Sequence, residues 1–176
     1  MDAGELLKAL EFAAMKHRDQ RRKDEAQSPY INHPLAAVTM LWNHGVRDRV
    51  PLLAAVLHDT VEDTGTTREE LATVFGEDVA AVVMEVTDDK SLPKDRRKEL
   101  QVEHAPHLSS HAKLVKLADK IVNLRDLTDS PPANWSPERR AQYFVWAQTV
   151  VAGLRGVSAS LEQAFDAEHA RGTRGN

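Results

Sequence analysis

Residues 112–127 constrain the fold more than any other stretch of this chain. Leu114, Val115, Leu117, Ala118, Ile121, Val122 and Leu124 would wrap most of the circumference of a helix written through them, and a helix apolar nearly all round has to be enclosed by others. A central buried helix is therefore expected. Along it Lys116, Asp119, Asn123 and Asp126 fall at successive steps of three and four, so they form one line. Such a stripe is either a surface line or the wall of a polar pocket, with Asp119 the candidate ligand and Asn123 one turn on.

A second stretch, Leu57-His58-Asp59-Thr60-Val61-Glu62-Asp63-Thr64, closes an apolar run over 52–57 with one imidazole and three carboxylates. If the helix continues through it, His58 and Glu62 share one side of its end, as do Asp59 and Asp63. An acidic, solvated helix end is the plain reading. A cation site is the other, because unpaired buried charge is expensive. His33, in Asn32-His33-Pro34, stands where Pro34 suits the first turn of a helix that runs to Gly45. A free amino-terminal helix end disfavours a protonated imidazole, which suits a neutral, metal-binding His33. Together His33, His58, Asp59 and Asp119 supply two imidazoles and two carboxylates, a set suited to Mn²⁺, Fe²⁺, Zn²⁺ or Mg²⁺. Glu62 and Asp63 follow one turn on, placed to accept a proton or hold an attacking water.

At 176 residues the chain suits a single domain, set at 1–170 with a loose tail over 171–176. It has no cysteine, so disulfides, thiolate metal sites and cysteine nucleophiles are excluded. A net charge of −4 argues against broad nucleic-acid binding, although Lys16, Arg18, Arg21, Arg22 and Lys23 cluster locally. No stretch has the length of a membrane span or the pattern of a signal peptide. A cytoplasmic address is compatible with this composition. No P-loop, glycine-rich dinucleotide fingerprint or serine nucleophile motif competes with the metal reading.

The remaining elements also read as helices. One covers 2–18, and a polar loop over 18–31 carries the basic cluster and Tyr30. Asp48 caps the helix that delivers His58 and Asp59. Thr67 and Glu70 have the spacing of a capping box for a helix to Phe75. Helices are expected over 77–86 and, on the surface, 94–104, separated by a loop over 87–93. Ser136 caps a long helix over 137–155, and a last one covers 158–169. No segment alternates as a strand.

The order His33, His58-Asp59, Asp119 matches the H…HD…D signature of HD-domain phosphohydrolases. Arg21-Arg22-Lys23, Pro29-Tyr30-Ile31-Asn32-His33-Pro34, the stretch from His58 on, Val86-Thr87-Asp88-Asp89-Lys90 and Val115-Lys116-Leu117-Ala118-Asp119-Lys120-Ile121-Val122-Asn123-Leu124 narrow the match. Over almost its whole length the chain resembles the hydrolase domain of RelA/SpoT proteins in its stand-alone form, the small alarmone hydrolases. That resemblance implies an all-α HD fold of about eight to ten helices around a divalent metal. It implies hydrolysis of the 3′-pyrophosphate of guanosine tetra- or pentaphosphate, normally with Mn²⁺. It also assigns roles: His33, His58, Asp59 and Asp119 as metal ligands, Glu62 and Asp63 on the attacking water, and Arg22, Lys23, Tyr30, Asn123, Arg139 and Tyr143 on the nucleotide. Long relatives tend to carry a threonine where this chain has Asp126. Adenosine alarmones, the 2′-phosphate of NADPH, and a non-catalytic sensor or antitoxin are the alternatives, and the protein partner is unknown.

Overall fold

The computed structural model describes residues 2–174. Ten α-helices are found among them: α1 Ala3–Lys16, α2 Asn32–Asn43, α3 Arg49–Leu57, α4 Thr60–Asp63, α5 Arg68–Phe75, α6 Glu77–Val86, α7 Lys94–His104, α8 Ser110–Asp129, α9 Pro137–Ala152 and α10 Ala159–Arg174. A 3₁₀ turn, Ala105–His107, joins α7 to α8. The one extended pairing among the described residues is an isolated bridge between Arg21 and Pro29, which pins the base of the basic loop.

Helix α8 is the central element. Ser109 caps it by accepting the Ala112 N–H, and α2, α3, α6, α9 and α10 all pack on it. Leu117, Ile121 and Leu124 are fully buried, each worth about 1.5–3 kcal/mol. The polar stripe is also enclosed, because Lys116 and Asp119 are buried and Asn123 and Asp126 are half-buried. It is a pocket wall. Helix α3, capped by Asp48, buries every residue from Pro51 to Leu57 and so fixes the height at which His58 leaves the core.

The helix that delivers His58 and Asp59 does not run on unbroken to Asp63, the condition for the shared sides considered above. Helix α3 ends at Leu57, and His58 with Asp59 makes a turn before the short α4. The reason is side-chain competition for backbone carbonyls: His58 Nδ1 donates to Ala55 O (2.8 Å) and Thr60 Oγ1 donates to Leu57 O (2.7 Å). The Thr67 capping box is also only half made. Thr67 Oγ1 accepts the Glu70 N–H (3.2 Å), while the Glu70 carboxylate turns away to Lys16. Beyond the site, α9 stops at Ala152, three residues early, as its last turn tightens to bonds from Gly153 to Val150 and from Leu154 to Val151. Helix α10 instead outruns expectation and remains helical through Arg174. Arg171 grips Asp129 on α8, and Gly172 lies so close to Phe144 that an added Cβ would sit 2.2 Å from its ring. Residues 175–176 of the expected tail lie outside the described residues.

Candidate metal centre and cleft

Three helices bring His33, His58 and Asp119 together, with their ligand atoms within 4.8 Å of one another and all three residues buried. His33 is the second residue of α2, His58 sits at the break after α3, and Asp119 is midway along α8. His33 Nε2 lies 3.1 Å from Asp119 Oδ1 and 3.7 Å from Asp59 Oδ2, and His58 Nε2 lies 3.8 and 3.1 Å from the same two oxygens. Both imidazoles thus face one pair of carboxylates. Asp59 stands at the outer edge of this group, its side chain 17% exposed.

The donor set fits a divalent cation. His58 gives its Nδ1 proton to Ala55 O, which leaves the lone pair on Nε2, and that atom is buried without a well-aligned hydrogen bond. A backbone carbonyl holding one imidazole nitrogen so that the other can ligate is a common outer-shell arrangement. Electrostatics point the same way. Burial pushes the Asp119 carboxyl up, but Lys120 and then His33 and His58 outweigh it and hold it well below the usual carboxylate range. Burial likewise opposes ionisation of Asp59, and the imidazoles reverse it. Burial lowers His58, yet Asp59 and Asp119 leave it well above an ordinary imidazole. The two carboxylates therefore draw positive charge into the site. A divalent ion supplies that charge without a proton on His58.

Tyr30, expected on the nucleotide, lines the cleft described below and also touches the His–Asp group. Its hydroxyl donates to Asp59 Oδ2 at 2.6 Å, and burial followed by the Asp59 charge keeps it protonated far above the ordinary phenol range. Its ring packs on His17, with centroids 4.8 Å apart. Glu62 lies on α4, past the break. Its Oε2 accepts the Asp88 N–H (3.1 Å), with Lys90 and Arg97 each 3.9 Å from Oε1. Burial pushes the Glu62 carboxyl up, and the Asp88 N–H only partly offsets this. Asp63 accepts Gln20 Nε2 at 2.8 Å and is paired with Lys90.

A cleft of about 490 Å³ opens beside this group, lined among others by Arg22, Lys23, Tyr30, His33, Asp63, Asn123, Asp126, Trp135 and Tyr143. Asn123 Nδ2 donates to Asp119 Oδ1 (2.6 Å), and Arg22 Nη2 bonds Asp126 Oδ2 (2.6 Å). The polar line of α8 thus runs from Asp119 to Arg22. Tyr143, pushed up to about 12 by burial, lies against Trp135 at a tilt of 56° with centroids 5.8 Å apart. Arg139 does not line the cleft. Its guanidinium lies 4.3 Å from the ring centroid of Trp135, which does line it. Sequence reasoning missed Trp135, whose one signal is an aromatic in a proline-bearing loop, and Gln20, Lys90 and Lys120, polar residues with no periodicity to mark them.

The family model described as HD domain matches residues 9–157, a span that contains every residue of this site. The chain is 57% identical over 166 residues to guanosine-3′,5′-bis(diphosphate) 3′-pyrophosphohydrolase MESH1 of Xenopus tropicalis, covering 94% of this chain and 93% of that protein. It is 56% identical over 165 residues to the MESH1 of Homo sapiens, covering 93% and 92%. A solved structure described as a metazoan ortholog of SpoT that hydrolyzes ppGpp and plays a role in starvation responses superposes with a TM-score of 0.94. That match, at 48% identity, covers 99% of this chain and 98% of that one. With the helical fold, the His–His–Asp group and these near full-length matches together, the chain belongs to the HD-domain family, among the MESH1 relatives of SpoT.

Proposed function

We propose that this protein is a metal-dependent phosphohydrolase that removes the 3′-pyrophosphate of guanosine tetra- or pentaphosphate, releasing pyrophosphate and GDP or GTP. The observation that carries the reading is the juxtaposition of a buried His–His–Asp group with a cationic, aromatic cleft, in a chain similar from end to end to a protein named for that reaction. His33, His58, Asp59 and Asp119 are assigned as metal ligands and Mn²⁺ as the ion. Bound there, a divalent ion supplies Lewis acidity to a phosphoryl oxygen and lowers the pKa of water.

The chain's own residues divide the remaining work. Glu62 and Asp63 hold the attacking water and take its proton. Burial of Glu62 makes it a stronger base than a solvated carboxylate. Arg22 and Lys23 meet the phosphates, Asn123 bridges the metal-facing Asp119 to that wall, and Tyr143 offers a ring to the base. Tyr30 steadies Asp59. Arg139 acts by holding Trp135. Among the described residues no helix is long and apolar enough to cross a membrane, and a cytoplasmic address belongs to the proposal.

The test is pyrophosphate release from ppGpp by the purified chain with Mn²⁺, run beside adenosine alarmones and NADPH. Fastest turnover of ppGpp supports the reading. Faster turnover of the adenosine alarmone, or phosphate release from NADPH, transfers the site to that substrate. Nucleotide binding without turnover leaves a sensor.

A further inference from the structure

Lys120 follows Asp119 directly on α8, and neighbouring helix residues project about 100° apart, so their side chains do not ordinarily meet. Here they do. Lys120 Nζ lies 3.0 Å from Asp119 Oδ2, in a residue only 3% exposed. An ammonium buried this deeply is costly unless it is paired, and a methionine would fill the same space without that cost.

The lysine is bent back by Trp146 of α9. Its Nζ lies 4.6 Å from the Trp146 ring centroid, and the indole is itself anchored, its Nε1–H donating to Lys98 O at 3.1 Å. Asp119 is thereby divided between two tasks. Oδ2 is taken by Lys120, while Oδ1 accepts Asn123 Nδ2 (2.6 Å) and faces His33 Nε2 (3.1 Å). Without Lys120 nothing holds Oδ2, and the carboxylate is restrained on the Oδ1 side alone, by Asn123.

We infer that Lys120 is a positioning residue for the metal centre: by holding Asp119 Oδ2 it commits Oδ1 to the ion. The inference rests on the metal reading of His33, His58 and Asp119, not on the identity of the nucleotide. Orientation and charge oppose one another here, which makes the test decisive. A cation beside a divalent ion repels it, so a lysine that merely balances charge weakens metal binding, and its removal tightens it.

The experiment is Mn²⁺ titration of the full chain, without nucleotide, followed by electron paramagnetic resonance of free Mn²⁺. Lys120→Met is expected to weaken Mn²⁺ binding about tenfold or more, the usual effect of losing an outer-shell partner, and Lys120→Arg to restore most of it. Unchanged or tighter binding by Lys120→Met overturns the inference. If Lys120→Met does not fold, Trp146→Phe, which loses the anchor on Lys98 O, decides: weaker Mn²⁺ binding supports the positioning role and unaltered binding overturns it. A wild-type chain that binds no Mn²⁺ overturns this inference and the metal reading together. One that binds Mn²⁺ but spares ppGpp overturns only the substrate assignment.

Discussion

Replacing Gly172 by alanine sets two effects of opposite sign against each other. Helix propensity alone favours the change by about 1 kcal/mol, so on a loose helix end the variant gains stability. In this fold the new Cβ would lie 2.2 Å from both Cε1 and Cζ of Phe144 and 2.8 Å from Thr128 Oγ1. Ordinary carbon contacts sit near ~3.5 Å, so one side must move by more than an ångström. Phe144 cannot easily yield, being 1% exposed and in the core. Overpacking costs roughly 1–3 kcal/mol or more, and a clash of this depth against an immobile ring belongs at the upper end, about 2–3 kcal/mol, which leaves a net loss of about 1–2 kcal/mol after the propensity gain. At about 2–4 °C per kcal/mol for a chain of this size, Tm should fall by roughly 2–8 °C in a calorimetric scan. An unchanged or raised Tm would refute the packing of α10 on α8 and α9, and with it the clamp that holds the far side of the metal-bearing helix.

The other expectations concern the site. Tyr30→Phe keeps the ring against His17 but loses the bond to Asp59, so Mn²⁺ affinity should drop about tenfold or more at nearly constant Tm. A change in KM alone would contradict the role given to the hydroxyl. Because burial raises the Glu62 carboxyl above its ordinary 4.5, and the proton acceptor must be ionised, kcat should fall with decreasing pH at a midpoint above that value. The residual rate of Glu62→Gln should lack this limb, and persistence of the limb would assign it elsewhere. Asp126 holds Arg22 at 2.6 Å and places a negative charge on the phosphate wall. Asp126→Asn should lower KM for ppGpp by about two- to fivefold, equivalent to at most about 1 kcal/mol for a partly exposed pair. A raised KM would put Asp126 on the sugar or base instead.

Much of this site was legible in the sequence because it is built from helix periodicity. The apolar surround of residues 112–127 required a central helix, and a narrow polar line on such a helix had to face something polar. Pro34 located a helix start, which placed His33 correctly. Periodicity failed where side chains compete with the backbone. The His58 and Thr60 bonds to Ala55 and Leu57 carbonyls divide the helix at His58-Asp59, and the Asp88 N–H that Glu62 accepts has no signal in the spacing. It also failed for contacts between distant elements. Trp135 reaches the cleft from a loop, Arg139 packs on its ring, and Lys120 meets its neighbour beside an indole on another helix. At the carboxyl end, glycine and charge looked like a loose terminus. There Gly172 is the residue that permits close approach to Phe144, a fact with no local signature.

The proposed site divides its labour at the helix break, with His58 holding the ion and Asp63 managing the water. The most direct measurement is Mn²⁺ content and pyrophosphate release on the same samples of wild type, His58→Ala and Asp63→Ala. Asp63→Ala should keep its Mn²⁺ and lose turnover, while His58→Ala loses both. Wild-type turnover by Asp63→Ala, or undiminished Mn²⁺ in His58→Ala, would contradict the account.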